Sequence, residues 1–165
     1  MDKLVKKEFG RRLIEEGLHR ILLCLDTLTD DEIWHKENQN TNSVGNLVLH
    51  LSGNVRQYIT AGITNQKDTR VRGDEFKLSS RIEKDQLKKQ IVKTVHDANE
   101  VVQNIEPITF LEKRKVQGFD ENVTSIVIHV IEHFSYHVGQ ITFYTKYIKD
   151  VDTAYYGDLD LNITS

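Results

Sequence analysis

The sequence predicts an all-α protein, a four-helix bundle in which some helices are joined by long crossover connections. Four segments repeat apolar residues at intervals of three and four, which places these residues along one face of an α-helix. The 165 residues include a single proline, Pro107, and few runs in which β-branched and polar residues alternate. Long helices joined by a few loops are typical of such a chain.

The chain 1–165 is predicted to form one domain. With 38% hydrophobic residues, a chain of this length can bury about 70% of its unfolded surface without disulfides or a structural metal. A metal bound by this chain is therefore expected to serve chemistry rather than folding. The one cysteine, Cys24, cannot form an internal disulfide.

Charge and hydropathy exclude two classes of partner. No signal-peptide pattern opens the sequence, and no run approaches the roughly 18 apolar residues of a membrane-spanning helix. The 22 basic and 25 acidic residues give a net charge of -3, which offers no general attraction for a phosphate backbone. We therefore expect a soluble, cytoplasmic protein that has neither a membrane nor nucleic acid as a partner.

The first helix is predicted over about residues 2–28. Its apolar residues recur at spacings close to three and four and are Phe9, Leu13, Ile21, Leu22, Leu25 and Leu28. Charged residues such as Arg11 and Glu15 occupy the other face, so the segment is an amphipathic helix that faces the core. Residues 29–42 are polar and rich in turn formers, which predicts a connection that Trp34 packs onto the bundle.

The second helix is predicted over residues 43–63, with an N-cap chosen from residues 41 to 43. Its apolar face consists of Val44, Leu47, Val48, Leu51, Val55, Tyr58 and Ile59. Polar residues run along one flank of this face and are Asn46, His50, Asn54 and Gln57. A histidine at this border either points into a cavity within the bundle or lies at the surface. Taken alone, His50 favours the surface.

Two long connections surround the third helix. Residues 63–80 are polar, and loops of this length are often functional. The charged residues within this loop are interpreted as a solvated cluster rather than a site, and are Arg70, Arg72, Asp74 and Glu75. The third helix is predicted over about residues 81–105, where apolar residues again recur at spacings of three and four. Pro107 ends it, and residues 106–122 form the second connection.

The fourth helix is predicted over residues 123–148 and contains the chemical signal. His129, His133 and His137 recur at intervals of four, which puts their side chains on one face of the helix. His133, His137 and Gln140 fall inside or against the apolar stripe. Imidazoles in such a stripe are costly unless both ring nitrogens find partners. A metal would satisfy one nitrogen of each ring, and hydrogen-bond acceptors would satisfy the other.

The pair His133 and His137 has the spacing by which helical histidines chelate a divalent cation. The motif HFSYH lacks the glutamate that directly follows the first histidine in a zinc protease, so a peptidase is excluded. A third ligand must come from another helix, and His50 is the best placed candidate. Three protein nitrogens with open positions are typical of a catalytic or substrate-binding site rather than a closed structural one.

HFSYHVGQI, residues 133–141, resembles the H-x-x-x-H-x-G-Q signature near the C-terminus of the DinB/YfiT-like superfamily. NSVGNLVLHLSGNVRQYI, residues 42–59, resembles the superfamily segment around the first histidine. The resemblance covers nearly the whole chain and is closest to a branch of uncharacterised function. It implies a four-helix bundle with a crossover connection that binds one divalent metal ion, zinc or nickel, through His50, His133 and His137.

The resemblance also implies a metal-dependent enzyme that acts on a small molecule. The reaction is either transfer of a low-molecular-weight thiol, such as bacillithiol or mycothiol, or hydrolysis, because a metal lowers the pKa of a bound thiol or water. His129 is open as a supporting residue, a fourth ligand or an unrelated residue, and the first is preferred. Three further residues are candidates for supporting the ligands or binding substrate: Gln140, Asn46 and Asn54. Gly139 is expected to permit a close contact between helices.

The alternative from a different class is a non-catalytic bundle. In this alternative the histidines bind metal adventitiously or not at all, and the apolar surfaces serve dimerisation. A homodimer is expected only by analogy with other bundles of this kind. A thiol-conjugation assay with and without metal separates the two hypotheses.

Overall fold

The computed structural model describes residues 2–77, 81–157 and 159–163. These residues form a mostly helical protein with one small sheet. Helix α1 is continuous and consists of Asp2–Gly10, Arg11–Leu18 and His19–Thr27, of which the middle stretch is π-helical. The predicted connection 63–80 and the C-terminal tail include residues 78–80, 158, 164 and 165, which lie outside the described part.

Four further helices follow α1 within the described residues. Helix α2 is the short segment Asp30–Trp34, and α3 joins an α-helical stretch, Val44–Val55, to a π-helical one, Arg56–Ile63. Helix α4 is Lys84–Asn104, and α5 is Val123–Lys149. The long helices therefore lie within a few residues of the segments in which the sequence predicts them.

Helix α2 lies inside the segment predicted to be a connection. Thr29 caps its N-terminus in a capping box, accepting from the backbone N–H of Glu32 while the Glu32 carboxylate accepts from the backbone N–H of Thr29. Trp34 ends the helix buried, and its indole N–H donates to the carbonyl of Ile82 at 3.2 Å. The predicted packing of Trp34 is confirmed. The prediction that residues 29–42 are only a connection was wrong, because the capping box stabilises one short helical turn within them.

The core lies between helices α1, α3, α4 and α5. Helix α3 packs against α4 and α5, and α5 packs against α1. The largest fully buried side chains include residues of α1, α3, α4 and α5. They are Leu13, Ile21, Leu51, Ile59, Leu87, Ile91, Ile126 and Phe134. At Gly17 of α1 an added Cβ would lie 2.7 Å from the ring of Phe134, so the glycine permits the close approach of α1 and α5.

The connection between α4 and α5 contains a β-hairpin that the sequence analysis did not predict. After a 3₁₀ turn at Pro107–Leu111, strands β1, Lys113–Val116, and β2, Phe119–Asn122, pair antiparallel. Gln117 and Gly118 connect them with φ of 55° and 88°, the positive pair that a tight hairpin turn requires. The strands have four residues each and are mostly charged, so they show no apolar alternation.

The C-terminal tail folds back onto the helices. The Tyr155 hydroxyl lies 3.3 Å from Sγ of buried Cys24 and 2.7 Å from the hydroxyl of Thr142, and the guanidinium of Arg20 lies over its ring. Tyr155 thereby anchors the tail to both α1 and α5. Within the described residues, none of the helices is both long enough and apolar enough to cross a bilayer.

Candidate metal centre

Three histidines from two helices meet at one point. His50 of α3 and His133 and His137 of α5 each offer a ring nitrogen, and these three atoms lie within 4.8 Å of one another. The closest approach joins Nε2 of His50 and Nε2 of His133 at 3.1 Å. These are the three residues that the sequence analysis selected, although they are separated by up to 87 positions in the chain.

Helix geometry explains why these side chains converge. His133 and His137 are one turn apart on α5, and their ring centroids are separated by 4.6 Å. On α3, Leu51 and Val55 are fully buried against the other helices, so the neighbouring flank turns His50 towards α5. His50 is 6% exposed, and its ring centroid lies 5.1 Å from that of His137.

The geometry fits a divalent cation. Two nitrogens bound to one zinc ion at roughly 2.0–2.1 Å in tetrahedral geometry are about 3.3 Å apart. The His50–His133 separation of 3.1 Å is close to this value, and all three nitrogens lie within 4.8 Å of one another. Nδ1 of His137 is engaged by the Gln140 side-chain oxygen at 2.7 Å, which leaves Nε2 of His137 to face the cluster.

The protonation state of the cluster also suits metal binding. Burial is the main cause that lowers the pKa of His133 to about 3, and the neighbouring His137, His50 and His129 lower it further. Burial also lowers the pKa of His137, partly opposed by the hydrogen bond that the ring donates to the Gln140 side-chain oxygen. Both rings are therefore neutral at pH 7, and the neutral imidazole is the form that binds a metal.

Behind His50 lies a buried ion pair that the sequence analysis interpreted wrongly as a solvated cluster. The Arg70 side chain is 1% exposed and Glu75 is 9% exposed. Arg70 donates to both oxygens of the Glu75 carboxylate, through Nε at 2.6 Å and Nη2 at 2.8 Å, and to the Gln57 side-chain oxygen at 2.8 Å. Arg72 and Asp74 of the same segment are exposed, as expected. The sequence signal that could have indicated a buried ion pair was the presence of both acidic and basic residues in an unusually long loop.

Glu75 orients His50. Its Oε2 lies 2.9 Å from Nδ1 of His50, and Nε2 of the same ring faces His133. A histidine that binds metal through Nε2 carries its proton on Nδ1, and this N–H then donates to the carboxylate. The pair holds the ring in the orientation that a metal ligand needs and raises the basicity of the ligating nitrogen.

The segment that carries Glu75 is held against α3 by two further residues. Asn46 donates from its amide to the backbone carbonyl of Glu75 at 2.9 Å, and it also completes the N-terminal capping box of α3 with Ser43. At Gly53 an added Cβ would lie 2.0 Å from Oε1 of Glu75, so only glycine leaves room for the carboxylate. Asn46 is 2% exposed and acts through Glu75.

The charge of Glu75 survives its burial. Burial raises the pKa of this carboxyl, but the hydrogen bonds from Arg70 and His50 and the charge of Arg70 outweigh it, so that the pKa lies below its usual value. An ionised carboxylate is one of the common hydrogen-bond partners of a metal-binding imidazole.

The chain matches a known protein family over most of its length. Residues 12–156 match the family described as proteins of unknown function, DUF1572. The chain belongs to the DUF1572 family. The matched region includes His50, His133, His137 and the ion pair behind His50. A search of curated proteins finds no match.

The remaining predicted site residues of this DUF1572 chain lie around the cluster. His129 stacks between Tyr58 and His133, at centroid distances of 4.5 and 5.5 Å, and is not among the three clustered nitrogens. Three atoms, Asn54 Oδ1, His129 Nε2 and His133 Nδ1, are buried without a hydrogen-bond partner in the described part of the chain. Buried polar atoms without partners are costly, so each of these three atoms would be stabilised by a hydrogen-bond partner.

Gly139 does not permit a helix contact, contrary to the prediction. No described atom outside its own helical surroundings lies within 4 Å of an added Cβ, so the residue faces open space. Gln140 is exposed and reaches back to His137.

Proposed function

We propose that this DUF1572 protein is a metal-dependent enzyme in which one divalent ion, zinc or nickel, is held by His50, His133 and His137. The observation that carries the proposal is the approach of three imidazole nitrogens to within 4.8 Å, with the Glu75 carboxylate on the far nitrogen of His50. Three protein ligands leave coordination positions for water or substrate, as in catalytic zinc sites. The unpaired buried atoms beside the cluster support the same conclusion.

The proposal extends to the fold. Helices α1, α3, α4 and α5 would be the four members of a DinB/YfiT-like bundle, with α2 and the hairpin as additions within the connections. The support is the HFSYHVGQI segment together with the meeting of its histidines with His50, which the superfamily signature requires.

The reaction that we propose is thiol S-transfer or hydrolysis on a small molecule. A divalent ion in the cluster would supply a nucleophile at neutral pH by lowering the pKa of a water or a low-molecular-weight thiol. Within the chain, Glu75 would keep His50 in its ligating tautomer, and Gln140 would do the same for His137 through Nδ1. His50 is buried and His133 and His137 are half-buried, so the cluster is partly shielded from bulk water.

Metal content tests the ligand set. Protein purified without an affinity tag should contain about one equivalent of zinc or nickel, as expected for a three-ligand site. His50→Ala and His133→Ala should each lose this metal, whereas His96→Ala, which alters an exposed histidine on α4, should retain it. Full stoichiometric metal in both cluster variants would contradict the proposal.

Activity separates the enzyme from a non-catalytic bundle. The metal-loaded protein should accelerate conjugation of a low-molecular-weight thiol to an electrophile, or hydrolysis of an activated ester. Activity should disappear after chelation and return with zinc or nickel. A fully loaded protein that catalyses neither reaction with any of the thiols and esters tried would favour the non-catalytic alternative.

A further inference from the structure

A groove of about 830 Å³ opens beside the histidine cluster. It lies between the start of α3 and the second half of α5, and residues 35–42 form its floor. The residues of its walls include Val44, Leu47, Gly139, Gln140, Phe143 and Tyr147. We refer to this feature as the aromatic groove.

The aromatic groove adjoins the cluster at His137, although the three clustered histidines are not among its described lining residues. Gln140 lines it and also contacts Nδ1 of His137 at 2.7 Å. Tyr136, another lining residue, has its ring centroid 5.0 Å from that of His137. On the opposite wall, Leu47 lies one helical turn before His50. A molecule in the groove would therefore have one end beside His137.

The walls expose large aromatic surfaces. Phe143 is 74% exposed and Tyr147 is 68% exposed, with their rings nearly parallel at a centroid distance of 6.5 Å. Adjacent exposed rings in a concave surface are typical of ligand sites, which are mostly apolar and occupy roughly 300–1,000 Å³. The volume of the groove falls within that range.

The charges of the lining residues select against anions. No lysine or arginine occurs among the described residues that line the groove. Its carboxylate, Glu37, lies 3.7 Å from a ring nitrogen of His35. A phosphate or carboxylate would therefore find no cation to offset its desolvation, whereas a flat uncharged group would only exchange water for aromatic contacts.

Gly139 keeps the groove open. It lies on the α5 wall between Tyr136 and Phe143, and an added Cβ would meet no described atom within 4 Å. A larger side chain at this position would project into free space, which is the space that a ligand would use.

We propose that the aromatic groove binds the non-reacting part of the substrate, and that this part is an uncharged aromatic or similarly flat apolar group. The proposal rests on the proposed function, because it takes the metal as the position of the reactive group. The substrate class is therefore a small molecule with a flat apolar body and one polar end that reaches the histidine cluster.

Two hydroxamates that differ only in their apolar part test this arrangement. Acetohydroxamate reports binding at the metal, and 2-naphthohydroxamate adds a flat ring system that can enter the groove. On the zinc-loaded full chain, the naphthyl compound should bind at least about tenfold more tightly, as expected from burial of its aromatic surface. Isothermal titration calorimetry measures both affinities.

Groove variants should remove only this gain. Gly139→Leu fills the groove, and leucine is a better helix former than glycine, so the fold should tolerate it. Phe143→Ser removes one exposed ring. In both variants the ratio of the naphthohydroxamate affinity to the acetohydroxamate affinity should fall from about ten towards one. The acetohydroxamate affinity and the zinc content should stay unchanged. The matched control is Phe119→Ser, because Phe119 is 61% exposed but lies on β2 away from the groove.

The outcomes separate two failures. Equal affinities of the two hydroxamates for zinc-loaded protein would overturn the groove proposal and leave the metal site standing. A chain that binds neither zinc nor nickel, or whose bound metal does not bind acetohydroxamate, would overturn the proposed function and with it the role of the groove. Sedimentation of the wild type tests whether a second copy of the chain fills the groove. A dimer that Phe143→Ser dissociates and that does not bind the naphthyl compound would show that it does. This result would also overturn the proposal.

Discussion

The carboxylate of Glu75 lies 2.9 Å from Nδ1 of His50, although the two residues belong to different segments of the chain. The contact ties a 3₁₀ turn, Arg72–Phe76, to the helix that supplies one corner of the histidine cluster. Arg70 engages both oxygens of the same carboxylate, so the orientation of His50 depends on a buried ion pair. Metal affinity and folding stability should therefore both respond to changes behind the cluster.

Glu75→Gln should weaken metal binding. Glutamine keeps an oxygen near His50 but removes the charge that makes the imidazole a better ligand, and losses of about 10- to 100-fold in metal affinity are typical for such partners. Competition with a chromophoric zinc chelator measures the change. Asp74→Asn is the matched control, because it makes the same chemical change at the adjacent exposed carboxylate. An unchanged zinc affinity in Glu75→Gln would show that this carboxylate does not support the site.

Arg70→Met should destabilise the fold strongly. It leaves the Glu75 carboxylate buried without its guanidinium, and breaking a buried pair in this way costs about 3–5 kcal/mol. Urea unfolding of the metal-free protein measures the loss. The double variant Arg70→Met/Glu75→Gln removes both charges and should recover part of it, whereas Arg72→Met on the exposed side should change little. Equal losses for Arg70→Met and Arg72→Met would contradict the role of the pair.

The histidine cluster could be predicted because it depends on helical periodicity. His133 and His137 share a face of any helix, and the flank position of His50 follows from the apolar stripe of α3. The long helices were predicted for the same reason, since their buried residues recur with the helical period.

The ion pair and the hairpin could not be predicted in this way. The burial of Glu75 depends on the missing side chain of Gly53 and on the Asn46 amide, which are 22 and 29 positions away and belong to another element. The hairpin depends on Val116 packing at Gly62, where an added Cβ would lie 2.7 Å from the valine. Such contacts arise only when distant segments meet and leave no period in the sequence.

Gly53→Ala should disturb the site without changing any charge. The added methyl group would lie 2.0 Å from Oε1 of Glu75 and 2.8 Å from Nε of Arg70, so the ion pair must shift from its place beside His50 or the helix must move. We expect a loss of about 1–3 kcal/mol in the free energy of unfolding, as in other overpacked interiors, and weaker zinc binding.

Gly139→Ala is the matched control for this substitution. It makes the same change in a helix where the methyl group meets no described atom, and it should stabilise the protein by up to about 1 kcal/mol with unchanged zinc affinity. Urea unfolding and chelator competition measure both variants. Similar behaviour of the two alanine variants would show that Gly53 has no special part in seating Glu75.

Tyr155→Phe should change how stability depends on alkaline pH. Burial, and then the neighbouring Cys24, raise the pKa of Tyr155 to about 12 from 10.0. Because the folded protein holds this proton more tightly than the unfolded chain, the contribution of Tyr155 is complete below pH 10 and is lost as pH rises towards 12. The wild type should therefore lose stability over this window more steeply than Tyr155→Phe in urea unfolding at successive pH values. Tyr156→Phe, at a residue that is 53% exposed, should follow the wild type, and identical slopes in all three proteins would mean that the tail does not bury the Tyr155 hydroxyl in solution.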